Sequence, residues 1–300
     1  MDSLKRMMGM IVILANFLPL CVYSQTAPPG TDIYVASISM DEGTLSVSTP
    51  TNITNRPGYD NQPYFLPDGT GLLYTSLQED SQTDIFRYDF NRKVITRVTE
   101  TRESEYSPTI MPDGKFFSTV RVELDTMQRL WKFPIGGGKP VIVLEHVKPV
   151  GYHAWGNENT VALFVLGDPP TLQIADSRTG KAERILGGVG RSLHKIPKMD
   201  AISFVHKMSE EEWLIKQIEL KSRKIMLVVK ALPKREDYAW TPGGTILMAD
   251  GPKLFQFMPG KDENWREIAD FSNAGLLNIT RIAVSPSGGR VALVADYMMN

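Results

Sequence analysis

Along most of the chain, short runs of alternating apolar and polar residues are cut by turn residues. The runs come in pairs: DIFRYDF with KVITRVTE, RLWKFPI with PVIVLEH, TLQIAD with AERIL, WLIKQIEL with KIMLVVKA, and KLFQFMPG with WREIADF. Val, Ile, Phe and Tyr at period two, bounded by Gly, Asp and Lys, predict antiparallel strands. A denser apolar run stands ahead of each pair: GLLYTS, KFFSTV, TVALFV, AISFV and TILMA. A sixth such run, RVALVA, comes just before the last residue, Asn300, with no pair after it.

Each dense run follows a turn, and the turns are evenly spaced. Pro67, Pro112, Asn157, Pro197, Pro242 and Pro286 hold the same position, at intervals of 45, 45, 40, 45 and 44 residues. One unit is therefore four strands in about 45 residues, the size of a propeller blade. The missing pair lies at the other end of the chain. TDIYVASIS and GTLSVSTPTNIT, residues 31 to 54, read as a third and fourth strand with no first or second before them. These expectations make an all-β, six-bladed propeller of four-stranded antiparallel blades, in which the N-terminal strands complete the C-terminal blade and remove two exposed edges.

The repeated Pro-Asp-Gly invites a second reading, with Asp68 and Asp113 as paired carboxylates. Equivalent positions hold Glu158, Lys198, Gly243 and Ser287, and a catalytic pair does not recur as a turn residue. Proline presets φ, aspartate suits the next position, and glycine tolerates the left-handed conformation that closes a hairpin. Pro-Asp-Gly is turn chemistry.

The units NQPYFLPDGTGLLYTS, YSPTIMPDGKFFSTV and YAWTPGGTILMA resemble the WD40-like propeller repeat of the TolB family. The resemblance covers nearly all of the chain after residue 24. It is closest in copies one, two, five and six, whereas copies three and four read GNEN and IPKMD at the turn. It implies a propeller that binds another protein or a peptide. TolB also carries an α/β domain ahead of its propeller, for which these 300 residues leave no room.

The first 24 residues have another character. Lys5 and Arg6 precede GMIVILANFLPLCV, and Val22 and Ser24 sit three and one residues before Gln25. That is the pattern of a secretory signal cleaved after Ser24, with residues 25–300 as the propeller. The run is short for a membrane span and Pro19 interrupts it. Cys21, the only cysteine, would be lipidated only if Leu18-Pro19-Leu20 acted as a lipobox, and Leu20 is bulky where a small residue is wanted. A mature chain without cysteine has no disulfide and no thiol nucleophile, which points to a bacterial periplasm or secretion. The sequons at Asn52 and Asn278 matter only in a eukaryotic secretory route. A net charge of −1, from 33 basic and 34 acidic residues with no like-charge block, argues against nucleic acid or anionic lipid as a partner.

Candidate chemistry lies in the segments leading into each innermost strand, because propeller ligands commonly sit at a channel mouth. Those segments supply Tyr59, Asp60, Glu105, Tyr106, Tyr152, His153, Arg191, His194, Asp237, Tyr238 and Arg281. They are expected as exposed rim groups around a pocket for a peptide, sugar or protein loop. His153 and His194, in consecutive blades, are expected near each other. The four histidines show no HxH or HExxH spacing, although a propeller metal site would draw single ligands from several blades. There is no G-x-S-x-G. The repeat also resembles the propeller of prolyl-oligopeptidase-type enzymes, whose hydrolase domain has no counterpart here. GGGK at Gly136 is a hairpin turn without a following helix to bind phosphate. Trp155 and Trp240 share one repeat position and are expected to pack between blades.

Two functions compete. The first is a monomeric, cofactor-free, non-catalytic periplasmic module binding an envelope protein, peptide or other ligand at one mouth. The alternative is a secreted lactonase, hydrolase or lyase of a sugar-type substrate, with a divalent metal at the axis held by residues among Asp60, Glu105, His153, His194 and Asp237.

Overall fold

The computed structural model describes residues 30–41, 44–79 and 82–297. The expected signal peptide at residues 1–24, with Cys21, lies outside the described residues. Apart from one short 3-10 turn at Ser272–Ala274, the regular structure described is all β.

Six antiparallel sheets follow each other around an axis. The first blade runs outward as Asp60–Phe65, Gly71–Leu77, Thr83–Asp89 and Val94–Arg97. The second is Ser104–Ile110, Phe116–Val122, Gln128–Pro134 and Val141–Leu144. The third is Val150–Trp155, Thr160–Val165, Thr171–Asp176 and Ala182–Gly187. The fourth is Val189–Lys195, Ala201–Lys207, Trp213–Glu219 and Ile225–Lys230. The fifth is Tyr238–Trp240, Ile246–Asp250, Lys253–Phe257 and Arg266–Asp270. The innermost strands touch in succession, and the sixth returns to the first.

The sixth blade is a composite. Leu276–Val284 and Arg290–Tyr297 are its inner strands, and Asp32–Asp41 and Thr44–Val47 its outer pair. The joining register runs from Asp32 opposite Ala295 to Ser37 opposite Arg290. A short strand not expected from the sequence, Thr51–Asn52, folds back onto Tyr34 and Val35. Buried Asp32 pins it by accepting bonds from Asn52 Nδ2 at 2.7 Å and Thr54 Oγ1 at 2.9 Å. The Asn52 amide is thus held within the fold.

The core is a set of layers, one between each pair of neighbouring blades. Leu73, Ile85, Ile110, Phe117 and Phe133 fill the space between blades one and two. Ile33, Phe65, Leu72, Tyr74, Ala292 and Val294 fill that between six and one. Adjacent residues on the second strand therefore face opposite neighbours, and both faces are buried. This explains why GLLYTS and TVALFV read as dense apolar runs while the outer strands alternate. Each fully buried Leu or Ile contributes roughly 1.5–3 kcal/mol.

The turns behave as punctuation, with one refinement. Asp68 Oδ1 accepts from Thr70 N and Oγ1 at 3.0 and 2.8 Å, and Asp113 Oδ1 accepts from Lys115 N at 2.9 Å. Gly69 and Gly114 take φ of 69° and 64°, the left-handed region. In the third blade the bonding carbonyl belongs to Asn157, which accepts from Thr160 N at 2.9 Å, rather than to Glu158. That turn closes from Gly156 to Thr160, one residue tighter than the Leu66-to-Gly71 closure of the first blade.

Candidate functional site

Each innermost strand carries a polar residue five positions before the turn, or in the fifth blade follows one directly: Gln62, Ser107, Tyr152, Ser192, Asp237 and Arg281. In most blades the pairing with the second strand breaks next to it, between Asn61 and Tyr64, Tyr106 and Thr109, Val150 and Tyr152, Val189 and Leu193, and Ile279 and Arg281. These are bulges, which re-aim a side chain and bend the strand. Gln62 and Ser107 pass through left-handed backbone, at φ of 58° and 54°. All six polar residues line one axial cavity of about 610 Å³.

Of the residues expected at the site, Tyr152, His153, Arg191, His194, Asp237, Tyr238 and Arg281 line this cavity. Four of the six blades contribute them. Asp237 joins two arginines: Arg191 Nη2 donates to Oδ2 at 2.5 Å and Arg281 Nη1 to Oδ1 at 3.3 Å. Arg281 also donates to Tyr152 Oη at 2.8 Å, with its guanidinium carbon 4.8 Å from the Tyr152 ring centre. Tyr59 does not line the cavity but lies close enough to Arg281, Tyr152, Tyr106 and Arg191 to feel their charges or hydroxyls. Burial pushes its phenol up to about 12. From this tyrosine–arginine group the lining continues along the innermost strands to the hairpin turns at Pro67, Pro112 and Asn157. The Pro-Asp-Gly turns of the first two blades thus border the cavity at its far end, a role their turn chemistry does not reveal.

The expectation of exposed rim groups fails for several residues. Asp60 and Glu105 are fully buried. Asp60 pairs with Arg56 Nη2 at 2.8 Å, and Glu105 with Arg121 Nε at 3.2 Å and Thr101 Oγ1 at 2.5 Å. Asp60 opens its innermost strand and Glu105 is second in its own, and arginines from an upstream loop and from a second strand reach in to pair with them. Burial pushes Glu105 up to about 7 against the opposing pull of Thr101 and Arg121. They brace the strands ahead of the bulge instead of meeting solvent. Tyr106 is half-buried and outside the cavity lining.

His153 and His194 do not form a pair. They occupy positions four and three residues before their turns, so they point from opposite faces of their strands. His153 Nε2 sits 2.7 Å from Ser118 Oγ in the second blade. His194 Nε2 sits 2.9 Å from Ser192 Oγ, and its ring packs 4.6 Å from that of Tyr238 in the fifth blade. Burial lowers His153 to about 3 and His194 to about 4, so both rings are neutral at physiological pH. Among the described residues, no group of three or more His, Cys, Asp or Glu comes together as a metal-binding set.

Gln62, Ser107, Ser192 and Lys195 also line the cavity; the first and third lie in the candidate lead-in segments without being singled out, and Ser107 and Lys195 lie outside them. Aligning the units on their turns would have found the first three as a polar column in otherwise apolar strands.

No family model matches the chain. Solved structures do. A protein assigned as TolB from Agrobacterium tumefaciens superposes with a TM-score of 0.70 at 15% identity, over 90% of this chain and 99% of that one. The fold is that of the TolB propeller. TolB from Acinetobacter baumannii gives a TM-score of 0.56 at 12% identity, over 89% of this chain and 64% of its own. An oligogalacturonate lyase in complex with manganese gives 0.52 at 13%, over 91% and 99%. At such identities the likeness concerns the fold alone, and the same fold carries both binding proteins and enzymes.

Proposed function

We propose that the protein is a non-catalytic envelope module that takes a peptide or protein segment into its central channel. The observation that carries this reading is the axial cavity itself. Six blades aim a mixed set of hydrogen-bonding and charged side chains into about 610 Å³, the volume range of ligand pockets. Arg191, Asp237 and Arg281 are tied to each other in ion pairs, and the lining's Ser192 Oγ meets a His194 ring whose pKa burial lowers to about 4. The N-terminal signal pattern supports a periplasmic or secreted location. No helix among the described residues is long and apolar enough to cross a membrane. The protein acts as a monomer without a cofactor in this reading.

The enzyme alternative has a neighbour of the same fold in the lyase. In this chain its metal donors are dispersed: Asp60 and Glu105 are committed to arginines, and His153 and His194 face different blades.

Site-specific photo-crosslinking tests the proposal. A crosslinking residue at Ser107, which faces the cavity, should trap a discrete envelope protein, and one at exposed Leu227 on the outer strand of the fourth blade should not. Equal trapping at both positions, or none at Ser107, counts against channel binding. Thermal shift with calcium, manganese or zinc separates the alternative, because a specifically bound ion stabilises the native state by mass action.

A further inference from the structure

The cavity has two unlike sides. Its charged lining comes from blades four to six: the cations Arg191, Lys195 and Arg281 with Asp237 as the lining anion, while Glu236 lies 3.5 Å from Arg191 and Asp200 3.7 Å from Lys195 outside the lining. The facing wall, from blades one and two, is uncharged and rich in proline, with Pro63, Pro67, Pro108, Ile110, Met111 and Pro112 around the polar Gln62 and Ser107.

A guanidinium has five N–H donors. Arg281 directs one terminal nitrogen at Asp237 and the other at Tyr152 Oη, which leaves N–H groups unclaimed. A second observation points the same way. His153 is 7% exposed and lines the cavity, and its Nδ1 has no hydrogen-bond partner among the described residues. Ser107 Oγ, also in the lining, is likewise unpartnered. Buried polar atoms without partners in a cavity wall mark places where a ligand completes the bonding.

We infer that the channel is shaped for an extended acidic peptide segment, with Arg281 holding a carboxylate through its unclaimed N–H groups, Arg191 and Lys195 flanking it, and the proline-rich wall packing an adjacent apolar side chain. This rests on the channel-binding reading proposed above. A peptide suits both sides at once, because it presents charge and apolar bulk on alternate residues, as an extended chain does. Charge-assisted bonds from arginine to carboxylate supply the orientation, and burial of the apolar residue supplies area.

Selection of random peptides displayed on phage against the intact protein tests this directly. Peptides recovered should carry Asp or Glu beside Leu, Ile, Met or Phe, and should bind more weakly as salt is raised. Arg281→Gln should weaken the best synthetic peptide roughly tenfold or more, as expected for loss of a charge-assisted bond. Lys195→Gln, at a side chain 38% exposed, should weaken it severalfold without disturbing the fold. Selected peptides that lack acidic residues, or that ignore both substitutions, overturn the anionic assignment while channel binding stands. If selection yields no peptide that competes with the Ser107 crosslink, both fall. If fragments of an acidic polysaccharide bind at the cavity and the acidic peptides do not, the ligand class assigned here is wrong.

Discussion

Two interfaces in the ring use the same repeat positions and solve the same problem differently. Between blades four and five, Ser203 Oγ accepts from Tyr238 Oη and Trp240 Nε1, both at 2.8 Å. Between blades two and three, the equivalent Ser118 Oγ meets His153 Nε2 at 2.7 Å and accepts from Trp155 Nε1 at 2.9 Å. In each case one hydroxyl on a second strand fastens two aromatic side chains from the next blade's innermost strand. The phenol of Tyr238 is fully satisfied and does not ionise in the physiological range, because burial pushes its pKa upward. The imidazole of His153 leaves Nδ1, itself buried, without a hydrogen-bond partner, and burial lowers its pKa to about 3. Both latches reach the cavity lining through Tyr238 and His153, but the first closes its hydrogen bond whereas the second leaves a buried ring nitrogen unpaired.

The largest expected effect separates the two tryptophans. Trp155 is 5% exposed and packed in the layer between blades two and three, whereas Trp240 is half-buried. Trp155→Ala should cost about 3–5 kcal/mol in denaturant unfolding, and Trp240→Ala at least about 1 kcal/mol less, because less area and a smaller cavity are involved. Equal losses would mean that the latches, and not the packing around them, set the cost.

The serines come next. Ser203→Ala leaves two donors facing a methyl group, Ser118→Ala leaves the Trp155 donor and a His153 ring nitrogen facing one, and about 1–3 kcal/mol is expected from each by the cost of an unsatisfied buried group. Ser203→Ala releases the Tyr238 hydroxyl, which stays packed against His194, and should change peptide binding less. Ser118→Ala frees His153 to turn, and should alter binding as well as stability. Calorimetric binding with the selected peptide reads that difference.

A pH series sharpens the contrast further. The folded-state pKa of His153, about 3, lies below its ordinary value of 6.5. The stability tied to the neutral ring is therefore fully present above pH 6.5 and is lost as pH falls toward 3, at up to about 1.4 kcal/mol per pH unit. His153→Gln should remove that slope between pH 6.5 and 4, a change of about 1–2 kcal/mol in the wild-type-minus-variant difference by pH 5. Tyr238→Phe should shift stability equally at every pH in the same range. Glu105 acts with the opposite sign over an overlapping range. Its folded pKa is raised to about 7, so its contribution is present at acid pH and declines as pH rises from about 4.5 through 7. Glu105→Gln should flatten stability there without touching either latch.

The contrast also explains what could be read from the sequence. The ring was legible because turn residues at fixed spacing and both-face-buried second strands are local signals. The N-terminal strands could be assigned to the last blade because a four-strand unit left two strands missing at one end and two spare at the other. The bulges were not legible, since each is a mismatch of register between two strands. Without them the lead-in residues seemed to lie on an exposed rim. Asp60 and Glu105 were misjudged for a related reason: their arginines, Arg56 and Arg121, come from different structural contexts and share no repeat position. The latch serines carry no signal of their own in apolar runs such as KFFSTV and AISFV.

The smallest effects belong to the turns that first suggested paired carboxylates. Asp68→Ala and Asp113→Ala each remove a local bond from an exposed side chain to the backbone two residues on. Each should cost about 0.5–2 kcal/mol, the range for such local bonds. The two changes should add, because the turns lie in separate blades and share no partner. Neither should disturb the latch at Ser118 or the pH response of His153, since no bond connects either aspartate to them. The turns do border the cavity through Pro67 and Pro112, whose φ is fixed by the ring whether or not the aspartate is present. Peptide affinity in the double variant should therefore stay within about twofold of the parent, allowing well under 1 kcal/mol for binding. A larger loss of affinity at unchanged folding would make the aspartates ligand contacts, and would move the binding surface from the cationic side of the channel to its turn-lined end.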